Sequence, residues 1–376
     1  MTAQVFTGAQ VFTGAQVFDG THLSPGPLRV ADGIVTDVGP GQEVRLDGGI
    51  LSPGFLDLQV NGAAGRMVDG TVTVDWLGEM CAVHARLGAT GILPTLITDS
   101  SDATAQVIAA GIAAAGRQVP GFLGLHLEGP HLDPRRKGAH DPALIRPMDE
   151  ADLVRLMEAA RHLPSLMVTL APASVTVEQI ARLARAGVIV SLGHAECTHA
   201  EAVAAMAAGA ACVTHLFNAM SQLGNRDPGL VGAALTRPVH AGLIADGIHV
   251  AGDTIRVAMA ASDRLFLVSD AMAAAGSDLT EFTLNGRRIL RDGGRLTLAD
   301  GTLAGADLTL PQAVGVMTGL GYAPELALAM ASSRPAACLR RSDRLGHLLP
   351  GRVADMVHLD ANGHLRGVWR AGVRLT

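Results

Sequence analysis

The chain has 376 residues, more than one hydrophobic core usually holds, and is 48% hydrophobic but only 3% aromatic, so Ala, Val, Leu and Ile must build its interior. A net charge of −6 without any Lys/Arg block argues against nucleic acid or an anionic membrane as partner. Cys81, Cys197, Cys212 and Cys338 lack paired spacing, so neither a disulfide framework nor a Cys-type zinc site is expected. With no basic-then-apolar N-terminus and no bilayer-length apolar run, the reading is a soluble, cytoplasmic protein.

The N-terminus repeats a six-residue unit from Ala3, Ala9 and Ala15, and only the third copy leads into ordinary sequence. Three such units are too short for a solenoid. Residues 1–14 are therefore expected to be a poorly ordered extension. Leu28–Val38 alternates like a hairpin around Asp32-Gly33. From residue 50 apolar runs alternate with helical stretches. Candidate strands fall at 51–59, 90–97, 122–128, 166–171, 187–193, 212–216, 242–246 and 265–269. Helical patterning lies at 74–87, 101–115, 149–162, 176–186, 199–209 and 251–261. Eight strand–helix repeats predict an α/β fold, a (β/α)8 TIM-like barrel over 51–344. A β-hairpin insertion is expected at 281–304, then helices at 309–320 and 324–338. The tail returns to strand alternation, so 15–50 and 345–376 should form one small β-sandwich.

The strand ends carry the chemistry. Glu128, His194 and His215 close the third, fifth and sixth candidate strands, on the face where barrel active sites lie. One carboxylate and two imidazoles with an open position is a catalytic rather than structural pattern for a divalent ion. Asp270 ends the eighth strand inside an apolar run, where a carboxylate needs a cation or donors to offset its desolvation. There it would act as general base and then general acid, or else cap the next turn. His140, on the loop after the third strand, could hydrogen-bond a developing oxyanion. His126 and His131 bracket Glu128, as supports or as packing. Gln59 and Asn61 stand where many metal barrels carry a His-x-His pair, and both are poor zinc ligands, which argues for one metal.

The ordered set Pro53-Gly-Phe-Leu-Asp-Leu-Gln-Val-Asn-Gly62, His126-Leu-Glu-Gly-Pro130, Lys137-Gly-Ala-His140, Leu192-Gly-His194, Thr214-His-Leu-Phe-Asn-Ala-Met220, Ala245-Asp-Gly-Ile-His249 and Val268-Ser-Asp-Ala-Met272 resembles the N-acetylglucosamine-6-phosphate deacetylases of the amidohydrolase superfamily. The resemblance covers about residues 48–360. It implies hydrolysis of an acetamide on a phosphorylated amino sugar, with Glu128, His194 and His215 as ligands of one divalent metal per subunit. Zinc is the first reading; iron, cobalt and manganese accept the same donors. Asp270 would be the base, and His140 would hold the acetamide carbonyl or the sugar. Gln59, Asn218, Ala219, Leu303, Ala304 and Gly305 would lie against the substrate. Arg226 and His249 would serve the phosphate, one of them reaching across a homodimer interface. Ala173 replaces a family Glu, and Asp307 is an extra carboxylate that either alters substrate contacts or caps the following helix. The rivals are a deacetylase for the galactosamine epimer or another acylated amino sugar, a non-catalytic scaffold, and a hydrolase of cyclic amides. The last would ordinarily need the missing His-x-His pair.

Overall fold

The computed structural model describes residues 8–376. Eight parallel strands follow one another in chain order: β1 Phe55–Val60, β2 Ala89–Ile97, β3 Leu125–Glu128, β4 Leu166–Leu170, β5 Ile189–Leu192, β6 Cys212–Val213, β7 His240–Leu243 and β8 Leu265–Leu267. Each pairs with its neighbour in one eight-stranded sheet. The ring closes just past β8, where Val60 bridges Ala271, Asp270 N–H donates to the Gln59 carbonyl and Asn61 N–H to that of Ala271. Every residue of β1 to β6 is buried, as expected of strands covered on both faces. The chain is thus a (β/α)8 barrel with a separate, sheet-rich terminal region.

Helices such as Ser101–Gly116, Glu150–His162, Val177–Arg185 and His199–Ala207 separate the strands. Each of these begins at a Ser, Asp or Thr whose side chain accepts from a first-turn N–H, which satisfies a donor the helix cannot. The short helix Gly229–Thr236 had no counterpart in the periodicity: seven of its eight residues are buried, so it carries no amphipathic signature. After β8, strands Glu281–Leu284, Arg287–Asp292, Arg295–Thr297 and Leu303–Ala306 make an antiparallel sheet. Its inner face, Phe282, Leu284, Ile289 and Leu296, packs with Met272, Ala273 and Ala274.

The candidate strand at 51–59 divides in two. Ile50–Pro53 belongs to a terminal sheet and Phe55–Val60 to the barrel, because Pro53 cannot continue a ladder as donor and Gly54 sits where a Cβ would lie 2.0 Å from Thr90 Oγ1. In the terminal unit, Ile50–Pro53 pairs antiparallel with Met356–Leu359, joining head to tail. The helices within 310–338 group with this unit rather than with the barrel.

The N-terminal expectation needs correcting. Gln10–Thr13, from the second repeat copy, is an ordered strand between Leu28–Ala31 and Gln42–Arg45. Phe12 is buried there and meets Trp369 edge-on, with ring centroids 5.5 Å apart. The copy alternates in the strand period, and that gives Phe12 a core to enter. Residues 1–7 of the expected extension lie outside the described residues.

Candidate metal centre

Glu128 is the last residue of β3, and His194, His215 and Asp270 lie two or three residues beyond β5, β6 and β8. The last three have positive φ, at 45°, 28° and 51°, a backbone region costly for side chains of this size and concentrated at functional sites. Backbone bonds from distant parts of the chain brace two of them. The His194 carbonyl accepts from Asp133 N–H at 2.9 Å, and the Asp270 carbonyl from Ala306 N–H at 2.9 Å. All four side chains are buried, and all reach a pocket of about 370 Å³.

His215 Nε2 lies 3.0 Å from Glu128 Oε1 and 3.0 Å from His194 Nε2, and His194 Nε2 lies 3.3 Å from Glu128 Oε1. His194 Nδ1 is 2.8 Å from the Arg136 carbonyl oxygen, which can only accept, so the ring's proton sits on Nδ1 and its Nε2 presents a lone pair. A lone pair aimed at a carboxylate is repulsive unless a cation lies between them. The three separations are close to the edge of a tetrahedron with bonds of about 2.0 Å, roughly 3.3 Å. The donor set therefore fits one divalent ion with an open position. Burial alone would raise the Glu128 carboxyl, but the two imidazoles hold it well below the usual carboxylate range. Burial lowers the His215 pKa, and the hydrogen bond and charge of Glu128 more than reverse this, leaving it raised.

Asp270 sits beside this triangle. Its Oδ1 accepts from Asn61 Nδ2 at 2.7 Å and from Gln59 Nε2 at 3.1 Å, and the same Gln59 nitrogen lies 3.1 Å from Glu128 Oε1. Gln59 is thus a bridge between two carboxylates rather than a free lining residue. Burial, then the negative charge of Glu128, pushes Asp270 up to about 6, and a cation held by Glu128 would draw it down from there.

His140 Nδ1 receives Thr98 N–H at 3.2 Å and lies 2.8 Å from Thr98 Oγ1. An amide N–H can only donate, so the ring's own proton sits on Nε2 when it is neutral. Burial and the neighbouring His194 keep His140 well below the usual imidazole range, so it is a neutral donor. Arg287 of the antiparallel sheet clamps the preceding Ala139 carbonyl.

The other expected residues divide. Asn218, Ala219, His249, Leu303 and Gly305 line the pocket. His249 Nδ1 is held by Asp246 at 2.6 Å. Ala304 is buried in the apolar cluster beneath its two neighbours. Arg226 lies on an exposed stretch and is not among the pocket's lining residues. Arg291 holds Asp307 through two bonds of 2.7 and 2.9 Å, and Thr309 rather than Asp307 caps the helix. His131 turns to the Arg146 carbonyl and Asp152. Sequence reasoning missed Arg135 and Arg136, which line the pocket, and the buried Asp133, which binds Arg135 and so braces the loop that anchors His194. Their place directly before Lys137-Gly-Ala-His140 was the available signal.

The family model described as the Amidohydrolase family matches residues 50–375. The chain is 40% identical to the N-acetylgalactosamine-6-phosphate deacetylase of Shewanella sp. (strain ANA-3), over 87% of this chain and 84% of that protein. It is 33% identical to the N-acetylglucosamine-6-phosphate deacetylase of Haemophilus influenzae, over 86% of each. The crystal structure of N-acetylglucosamine-6-phosphate deacetylase from Pasteurella multocida superposes with a TM-score of 0.93 at 30% identity, covering 97% of this chain and 99% of that one.

Proposed function

The chain belongs to the amidohydrolase family, and from that premise we propose that it hydrolyses the acetamide of N-acetyl-D-glucosamine 6-phosphate to acetate and glucosamine 6-phosphate. The observation that carries this reading is the Glu128–His194–His215 triangle with Asp270 beside it, in a chain whose relatives are deacetylases of phosphorylated amino sugars. The ligands would hold one divalent ion, read here as zinc, which when bound supplies Lewis acidity toward a carbonyl oxygen and a water molecule. Asp270 takes the proton of the attacking water and returns it to the departing amine. Asn61 and Gln59 fix its Oδ1, so the second carboxylate oxygen is the one that moves the proton. His140 donates from Nε2 to the oxygen on which charge develops. His249, Arg135 and Arg136 line the pocket, each held by a carboxylate of Asp246, Asp133 or Glu196, and their remaining donors suit an anionic end on the substrate. Arg226, exposed on its own subunit, suits the phosphate of a second copy in a homodimer. We place this reaction in the cytoplasm.

The galactosamine epimer is a second reading, favoured by the 40% identical relative. Acetate release from both 6-phosphates and from unphosphorylated N-acetylglucosamine tests all of this. Phosphate-dependent turnover with the glucosamine epimer preferred is the expected result. Preference for the galactosamine epimer would replace the substrate, and no turnover of any of the three would overturn the substrate class. Arg226→Ala should raise KM for the phosphorylated sugar by about tenfold or more with little change in kcat.

A further inference from the structure

A chain of buried hydroxyls crosses the barrel interior beneath the metal centre. His126 Nδ1 is 3.0 Å from the Leu58 carbonyl oxygen, and its Nε2 is 2.7 Å from Thr169 Oγ1. Thr169 Oγ1 is 2.6 Å from Thr214 Oγ1, which is 2.6 Å from Ser191 Oγ. The protons in this chain can be assigned. The Leu58 carbonyl only accepts, so His126 donates from Nδ1. A fully buried ring facing only a carbonyl and a hydroxyl is neutral, so its Nε2 accepts from Thr169 O–H. Each hydroxyl has one proton, so Thr214 must donate to Thr169 and Ser191 to Thr214. Ser191 ends the chain with its proton committed to Thr214, so toward any further partner its Oγ can only accept.

His215 presents the complementary end. Its Nε2 faces Glu128 and His194, so a metal there requires the proton on Nδ1. Among the described residues, that buried Nδ1 finds no hydrogen-bond partner in another residue; only its own backbone carbonyl acts on it. His194, by contrast, has its Nδ1 proton on the Arg136 carbonyl. Gln59, His126, Ser191, Thr214 and His215, together with the apolar Met167, Val213, Phe266 and Val268, line a cavity of about 10 Å³, at the lower bound of what one water requires.

We propose that this cavity is a built site for one water molecule, which accepts from His215 Nδ1–H, donates to Ser191 Oγ and so makes Ser191, Thr214 and Thr169 positioning residues for the His215 ligand. The water completes an ordered hydrogen-bond chain from Leu58 to His215 and fixes the tautomer whose Nε2 lone pair faces the ion. The inference rests on the metal reading above, and the experiment separates the two.

Zinc affinity would be measured by chelator competition for wild type, Ser191→Ala, Thr214→Val and Thr214→Ser, each checked for folding by thermal unfolding. A high-resolution crystal structure of the zinc-loaded wild type would show whether the cavity is wet. The expected result is density for one water within hydrogen-bond reach of His215 Nδ1 and Ser191 Oγ. Affinity should fall about 10- to 100-fold in Ser191→Ala and Thr214→Val and be rescued in Thr214→Ser. Should one variant fail to fold, the other and the wild-type density still decide. A dry cavity, or unchanged affinity in a folded Ser191→Ala, would overturn the inference while leaving the metal reading intact. A wild type that takes up no metal would overturn both.

Discussion

His140 and His215 show how a neighbour decides what an imidazole can do. Thr98 N–H occupies His140 Nδ1 and leaves an Nε2 proton to give, so His140 can stabilise an oxyanion without ever becoming cationic. Replacing it with Ala removes one donor to the developing charge. Steady-state kinetics should then show kcat down about 10²- to 10³-fold with KM little changed; a change confined to KM would assign it to sugar binding instead. His215 carries the opposite perturbation. When no ion is bound, Glu128 holds a proton on its ring, and its pKa is raised above the ordinary imidazole value. The proton and the metal compete for the same site, so apparent metal affinity must rise with pH through and beyond that ordinary value. Chelator competition across a pH series through neutrality checks the sign. An affinity flat over that range would contradict it.

At the scale of elements, the barrel strands were readable because both of their faces are covered, which yields short runs that are apolar but for one small hydroxyl residue, such as Leu166–Leu170 and Ile189–Leu192. The Glu, His and Asp of the site were readable because a parallel barrel places every strand's C-terminal end on one face, so position in the strand already told their location. What supports them was not. Arg136 reaches His194 across 58 residues and Thr98 reaches His140 across 42, contacts that exist only once the strand ends are gathered on one face of the barrel. The hydroxyls of Thr169, Ser191 and Thr214 look like ordinary β-branched or small strand residues until the register aligns them. Gln10–Thr13 was misjudged for a different reason: repetition suggested dispensability, whereas Phe12 fills a core with Trp369, Leu51 and Met356. Phe12→Ala should cost about 3–5 kcal/mol by denaturant unfolding of a variant that retains its metal site. A loss below about 1 kcal/mol would mean that the strand is peripheral to that core.

At the scale of the whole molecule, family membership and the donor triangle lead to the same chemistry by independent routes, one from relatives and one from the directions of hydrogen bonds. Because the ion would bind the folded chain only, its removal must appear in global stability. A free metal concentration of 100 times Kd should contribute about 2.7 kcal/mol, so chelation should lower Tm by several degrees and zinc should restore it. A Tm indifferent to both would contradict the metal centre. The ion and the base are proposed to be separate parts, with Glu128, His194 and His215 holding one and Asp270 serving as the other. This separation is tested most directly by Asp270→Asn, assayed for metal content and acetate release in the same preparation. The variant should carry one divalent ion per chain, as in wild type, with kcat reduced by at least about 10³-fold. Loss of the metal with the activity would make Asp270 a ligand, and activity near wild type with the metal in place would remove it from the reaction.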